Sequence, residues 1–384
     1  MTVEFNFQSK NIIILFKSFV LGGAEKQGLF LANYLQSKKD CRVFIYSYLK
    51  SSNSKLFYQE CEKYQLKNLF IVSNPLSAAG SLKYLKRRTK IALFGLKLRK
   101  HNPDIIIPYL NPPSIIAALC YKIAGAKITF WHHRGPDYFR NDKLEKVATQ
   151  KVPFLIANSP DGKQELLKVL KTPIDKTYFL SNFSTIKSIN SNKNIEVLNS
   201  LKGKMFIGML AHFRVEKCQL LLVKTFHKIL KNHKNCHLIL CGNIYESENE
   251  LSNFDEVFEY ILKNKLNNDI TILHDVSAND LLPYLDIGVL VSIKEGMPNV
   301  VMEYMAYSLP VVCTNHAGCI SLLGENYPFY VENSLESIFY KLELLIKDQQ
   351  LCKQTGIENH ILLNNKFLIE SYLNQLSDLI NKYY

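Results

Sequence analysis

The chain has 384 residues, 47% of them hydrophobic and 21% charged, which suits two packed domains and excludes a disordered or fibrous protein. Its nine cysteines include no CxxC pair; a disulfide framework and a zinc site are not expected, and reduced, mostly buried thiols of a cytosolic protein are. The net charge of +13 is uneven: residues 1–185 hold 29 Lys and Arg against 12 Asp and Glu, and residues 186–384 hold 18 against 22. A basic half joined to a mildly acidic one points to a polyanionic partner, an anionic membrane or a nucleic acid, with plain solubility charge as the bland reading.

The start, MTVEFNFQSK, is polar, and no signal peptide is expected. Ile12–Phe16 reads as a strand, Ala24–Gln36 as a helix and Val43–Tyr48 as a strand. Lys83–His101 holds eight Lys and Arg, no acid, and interleaved Leu82, Leu85, Ile91, Leu93, Phe94, Leu96 and Leu98. It is either a membrane-docking segment, with Phe94 and Leu98 inserting, or an ordinary surface helix. Asp104–Tyr109 reads as a strand, Ser114–Ala124 as a helix and Lys127–Trp131 as a strand. Ile105–Ala124 is broken by Pro108, Asn111, Pro112, Pro113 and Lys122, too often for a spanning helix. Phe154–Asn158 is a strand and Pro160–Leu170 a helix.

Asn190–Leu201 lacks apolar periodicity and reads as a linker. The alternation then restarts: strand Phe206–Leu210, helix Gln219–Lys231, strands His237–Cys241 and Ile270–Leu273, helix Ala278–Leu285, strand Ile287–Val291, helix Pro298–Tyr307 and strand Pro310–Cys313. This order implies α/β architecture: two Rossmann-like domains with parallel sheets, and a ligand in the cleft at the carboxyl ends of the strands.

Chemistry concentrates in SIKEGMPNVVMEYMAYSLPVV, from Ser292 to Val312. A strand ends near Ser292, Glu295 follows in a Gly/Pro loop, and a helix starts near Pro298. Its free backbone N–H groups and dipole suit a diphosphate. Glu303, separated from Glu295 by seven residues, lies within that helix, and carboxylates suit sugar or ribose hydroxyls. The bland alternative is two exposed glutamates near a helix start.

Through Ser292, Glu295, Gly296, Pro298, Asn299, Glu303, Met305, Ala306, Pro310, Val311 and Val312, the segment resembles the signature of retaining family-4 glycosyltransferases of the GT-B fold (glycosyl transferases group 1). The resemblance implies that Glu295 contacts the donor sugar and Glu303 the ribose hydroxyls, with Gly296, Met297, Pro298 and Asn299 lining the donor. Tyr304 and Ser308 stand where Ala and Gly are usual and are not expected to touch it. GMLAHFRVEKCQLLLVKTF, from Gly208, is similar to the family's diphosphate-gripping segment. Lys217 matches its Lys; the usual Arg position falls on His212, and Arg214 is the replacement expected. A Lys at a helix start opposes the dipole unless an anion binds.

GGAE at residues 22–25 is no dinucleotide fingerprint; in the resembled family this turn, with Gly23, lies near the donor phosphate and the acceptor. KITFWHHRGPD delivers a histidine to a loop, placed by alignment at His133 with His132 one residue away; family members often use it on the donor sugar. ANSPDG at 157–162 and LSNF at 180–183 follow the family's order, so the resemblance spans residues 10–320. It implies an acceptor domain at 1–188, a nucleotide-sugar domain at 200–365, and a C-terminal segment, 366–384, whose amphipathic helix Phe367–Tyr384 returns to the first domain.

The expected enzyme is a metal-independent, retaining hexosyl- or N-acetylhexosaminyl-transferase. It would need no cofactor and use a UDP- or GDP-sugar donor and a saccharide acceptor, lipid-linked, at the cytoplasmic face of the inner membrane, with an anionic membrane surface and no nucleic acid as partner. The alternatives are a nucleotide-sugar epimerase on the same fold, a basic nucleic-acid-binding protein, for which no aromatic-rich basic repeat speaks, and a non-catalytic sugar-binding relative.

Overall fold

The computed structural model describes residues 5–52, 54–133, 139–186, 195–244 and 248–384, with only the backbone of 248–250. The chain divides into two units: residues 1–185 with 369–384, and residues 186–368.

In the first unit, strands β1 (Asn11–Ser18), β2 (Arg42–Leu49), β3 (Leu69–Ile71), β4 (Ile105–Pro108) and β5 (Ile128–Thr129) form a parallel sheet in the order β3-β2-β1-β4-β5. Strands β6 (Trp131–His133), β7 (Leu155–Ala157) and β8 (Thr177–Phe179) form a second parallel sheet. Side chains alternate across a strand. Ile12, Ile14 and Phe16 therefore enter the core that holds Leu31 and Leu376, while Ile13 and Leu15 enter the one that holds Ile91 and Ile116. Helices cover both faces, so β1 is apolar at successive positions.

The helix Ile369–Asn381 packs on the first unit: Tyr372, Leu376 and Ile380 are buried in its core, and Asn381 Oδ1 accepts the Phe5 N–H at 2.6 Å. Sequence reading starts this helix at Phe367. The structure ends the previous helix, Gln349–Lys366, there and buries Phe367 in the second unit's core.

In the second unit, β9 (Met205–Leu210), β10 (Cys236–Cys241), β11 (Ile270–Leu273), β12 (Ile287–Leu290), β13 (Val311–Thr314) and β14 (Tyr330–Val331) form a parallel sheet in the order β11-β10-β9-β12-β13-β14. In each unit the winding reverses between two neighbours, β1 and β4 or β9 and β12. A crevice opens at such a switch point beyond the carboxyl ends of the strands. The segments there are 19–23 and 109–111 in the first unit, 211–217 and 291–298 in the second.

Several sequence readings are revised. Lys127–Trp131 is not one strand: the chain passes from β5 in one sheet to β6 in the other. The linker read at Asn190–Leu201 contains a helical turn at Glu196–Asn199 with Leu198 buried, while residues 190–194 lie outside the described residues. Helices Lys55–Lys63, Lys143–Lys151, Glu248–Lys263 and Ala317–Leu323 were not anticipated. All nine cysteines are free, eight of them buried. Among the described residues no helix is long and apolar enough to cross a membrane.

Candidate active site

In the second unit, β9 leads through residues 211–214 into a single turn, Val215–Lys217. Cys218 then takes a left-handed conformation (φ 57°) that turns the chain into the helix Gln219–Leu230. The Ile293 N–H donates to the Glu216 carbonyl at 2.8 Å, tying this turn to the loop after β12. The tie brings Lys217 Nζ onto Glu295 Oε1 in an ion pair of two largely covered side chains.

Two further contacts fix the loop after β12. Near its start, Ser292 offers a carbonyl that accepts from Thr314 Oγ1 and His316 Nε2, both at 2.8 Å. Further on, a Cβ at Gly318 would lie 1.5 Å from the Gly296 carbonyl oxygen. The first turn of the helix Ala317–Leu323 can thus lie directly against Gly296 and Met297 only because residue 318 has no side chain. Pro298 is the cap rather than the first residue of the helix Asn299–Ala306; its lack of an N–H costs nothing there. Glu303 is buried on this helix. Beside Lys217 and Glu295 in sequence, a cavity of about 630 Å³ opens between Cys218, Ser292, His316 and Asn333.

Arg214 Nη1 stands 3.7 Å from Glu216 Oε1. His212, at the position of the family's usual arginine, is engaged in the backbone: its Nδ1 accepts the Asn243 N–H at 3.3 Å and its carbonyl accepts from Gln219 Nε2 at 2.8 Å.

In the first unit, Gly22 precedes the helix Gly23–Lys39 in extended conformation, and its N–H donates to Glu25 Oε2 at 3.2 Å. Glu25 of the GGAE turn therefore caps its own helix. Gln27 Nε2 donates to the Phe183 carbonyl at 2.7 Å, which joins this helix to the LSNF segment. In ANSPDG, Ser159 Oγ accepts the Gly162 N–H at 3.1 Å and starts the helix Pro160–Val169.

His132 and His133 end β6, both buried. Burial lowers their pKa values to about 4 and about 3, so both rings are neutral near pH 7. His132 Nδ1 accepts the Leu110 N–H at 3.3 Å, which puts its proton on Nε2. Leu110 has φ 76° and ψ 167°, a positive-φ extended region that glycine almost alone adopts, so this histidine braces a strained corner between β4 and the helix Asn111–Ala124. His133 Nδ1 lies 2.9 Å from Asn111 Oδ1. The Asn111 amide is oriented by Glu145, whose Oε1 is 3.5 Å from Asn111 Nδ2, so the His133 proton sits on Nδ1. Its Nε2 is left as an acceptor, 3.6 Å from Glu165 Oε2 and without a hydrogen bond among the described residues. The ring stacks on Phe139 at 4.7 Å. Residues 134–137 of this motif lie outside the described residues.

Residues 190–360 match the family described as glycosyl transferases group 1. The chain is similar over its length to a glycosyltransferase of Haemophilus influenzae, 23% identical over 94% of this chain and 96% of that one. A Campylobacter jejuni enzyme is 24% identical over 86% of this chain and 89% of its own. Its name is N-acetylgalactosamine-N,N'-diacetylbacillosaminyl-diphospho-undecaprenol 4-alpha-N-acetylgalactosaminyltransferase. Among solved structures, Anabaena HepE in complex with UDP and glucose superposes with a TM-score of 0.77 at 17% identity, over 97% of this chain and 99% of that one.

The protein is a glycosyltransferase whose residues 190–360 match the group 1 family. Its fold is GT-B, and neither the epimerase nor the nucleic-acid reading is favoured.

The glycosyltransferase brings Lys217, Glu295, Gly296 and Met297 together in the second unit, with Pro298, Asn299 and Glu303 following on one loop and helix. Gly23 and His133 belong to the first unit. Sequence reasoning set Tyr304 aside, yet it supports the site. Its ring lies over Gly288, where a Cβ would be 2.4 Å from the ring. Its hydroxyl accepts the Leu210 N–H at 2.9 Å and reaches the Gly208 and Val289 carbonyls at 3.2 and 3.3 Å. It thus pins β9 to β12 from below. The signal was the glycine at 288, which leaves room for a large residue at 304. Ser308 takes the left-handed conformation (φ 56°) that its family's glycine adopts freely.

Proposed function

We propose that this glycosyltransferase moves a sugar from a UDP- or GDP-sugar to a lipid-linked saccharide during assembly of a surface glycan, with retention at the anomeric carbon. The observation that carries the reading is the Lys217–Glu295 pair at the second unit's switch point. It holds an ammonium beside a loop that runs into a helix N-terminus, an arrangement suited to a diphosphate. As the bond between the anomeric carbon and the diphosphate breaks, negative charge gathers on the leaving oxygen. Lys217, Arg214 and the amides of the Gly296–Asn299 segment stabilise that charge.

In this scheme Glu295 orients a donor-sugar hydroxyl and Glu303 holds the ribose hydroxyls. Gly23 allows a close backbone approach to the phosphate, and His133 Nε2 accepts from a sugar hydroxyl. The acceptor oxygen attacks the face that the diphosphate leaves, and its proton passes to the departing phosphate oxygen. With cationic side chains opposing the leaving charge, the proposed reaction needs no metal and no cofactor. The UDP and glucose bound by HepE and the diphospho-undecaprenol in the Campylobacter relative's name support the substrate classes. A lipid-linked acceptor implies work at the cytoplasmic face of the inner membrane, as a peripheral protein.

The test is transfer by the purified protein from UDP- and GDP-sugars to undecaprenyl-diphosphate-linked saccharides, with and without EDTA, and the anomeric configuration read by NMR. A retained product formed at the same rate in EDTA is expected. An inverted product would overturn retention. Activity lost in EDTA and restored by manganese or magnesium would overturn metal independence. Release of an epimerised sugar without acceptor would return the epimerase reading.

A further inference from the structure

The helix Lys83–Arg99 buries Ile91, Phe94, Gly95 and Leu98. At 100° per residue these fall on one side, and Leu82, Leu85, Leu93 and Leu96 fall within about 80° of one another on the opposite side. They are 61%, 60%, 61% and 53% exposed. Phe94 and Leu98, the residues expected from sequence to insert in a membrane, face the core instead. A Cβ at Gly95 would lie 3.0 Å from Cys120 Cβ, so close helix packing holds this rotation. Single exposed leucines are ordinary; four in one row along a helix are not.

Charge frames the row. Lys86 and Lys97 border it on one edge, Arg88 and Arg99 on the other, all exposed. Of the helix's basic residues, only Arg87 pairs with a carboxylate among the described residues, Asp142 at 3.7 Å. No acidic residue occurs between Glu62 and Asp104. The helix Glu248–Lys263 also exposes apolar residues, Leu251, Phe258 and Leu262, but Asp255 and Glu259 border them. Exposed apolar area alone therefore does not single out the Lys83–Arg99 face; its union with unopposed positive charge does.

We propose that this face lies flat on an anionic lipid bilayer, with Leu82, Leu85, Leu93 and Leu96 among the acyl chains and the bordering Lys and Arg on lipid phosphates. A nucleic acid would meet the cations and leave the leucine row in water; a bilayer engages both. The inference rests on the lipid-linked acceptor only for its purpose, since the surface is defined without it.

The experiment is co-sedimentation of the full-length protein with phosphatidylethanolamine vesicles, with and without phosphatidylglycerol, in the absence of donor and acceptor. Binding that requires phosphatidylglycerol and weakens with salt is expected. Leu93→Ser with Leu96→Ser, and separately Lys86→Glu with Lys97→Glu, should each reduce it at least tenfold, without changing thermal unfolding or transfer to a water-soluble acceptor. Equal binding to both vesicle types, no binding, or wild-type binding by the leucine variant would overturn the proposal, as would RNA binding abolished by the same substitutions. Vesicle binding as expected with transfer only to soluble acceptors would refute the lipid-linked acceptor and leave the docking surface standing.

Discussion

The two units wind their sheets in the same sense, yet they equip their switch points with opposite chemistry. At the second unit's switch point the functional groups are charged and partly open: Lys217 on Glu295, with a helix start following. At the first unit's the two rings are neutral and enclosed: His132 and His133 are uncharged and held by Leu110 and Asn111, with the Glu145 and Glu165 carboxyl groups beside them. A cation can oppose the negative charge that the proposed reaction develops; neutral, enclosed rings can only orient hydrogen bonds. On the proposed mechanism, charge stabilisation therefore falls to the second unit and positioning to the first.

The largest expected effect tests the charged side. Lys217→Ala and Glu303→Ala should each lower turnover about a hundredfold, on the order of 3 kcal/mol, because charge-assisted contacts to the diphosphate and ribose are lost. Steady-state kinetics of the folded variants checks this, and wild-type rates would sink the assignment. Acid tests the neutral side. Below the unfolded histidine pKa of 6.5, the unfolded chain takes up protons that His132 and His133 refuse until pH reaches about 4 and about 3. Their stability contribution is therefore complete above pH 6.5 and is lost as pH falls through that window. In the second unit, His237 is lowered to about 4 by burial. From pH 7 to 6, His132 and His133 together should cost the first unit about 1 kcal/mol, roughly twice what His237 costs the second. Trp131, the one tryptophan, is buried in β6 and reports the first unit alone. Its fluorescence midpoint in urea should fall further than the midpoint of the whole chain by circular dichroism; equal shifts would erase the distinction.

His133→Asn removes a neutral acceptor rather than a charge, so turnover should fall only about fivefold, near 1 kcal/mol. A loss as large as that of Lys217→Ala would mean that the histidine works as more than a positioning group. Ser308→Gly should be smallest, stabilising the second unit by roughly 0.5 kcal/mol as the left-handed strain is relieved. Thermal melting checks the sign, and a destabilised variant would mean that the serine's contacts outweigh its backbone strain.

Residues close together in sequence were the readable ones. The alternation of strands and helices and the spacing of Glu295 and Glu303 are local patterns, set by side-chain periodicity and helix-start chemistry, so the sequence alone determined them. Helix Glu248–Lys263 carries a legible stripe, Phe254, Val257, Phe258 and Ile261, that the strand and helix assignment from sequence passed over. The tertiary structure decided what depends on partners far along the chain. Whether residues 127–133 made one strand or two turned on which neighbours, β4 or β7, offered hydrogen bonds. Which leucines of Lys83–Arg99 met solvent turned on a rotation set by Gly95 against Cys120. That His132 braces a corner while His133 keeps a buried Nε2 acceptor turned on Leu110 and Asn111, more than twenty residues before them. Periodicity names the faces an element has; only packing decides which of them is buried.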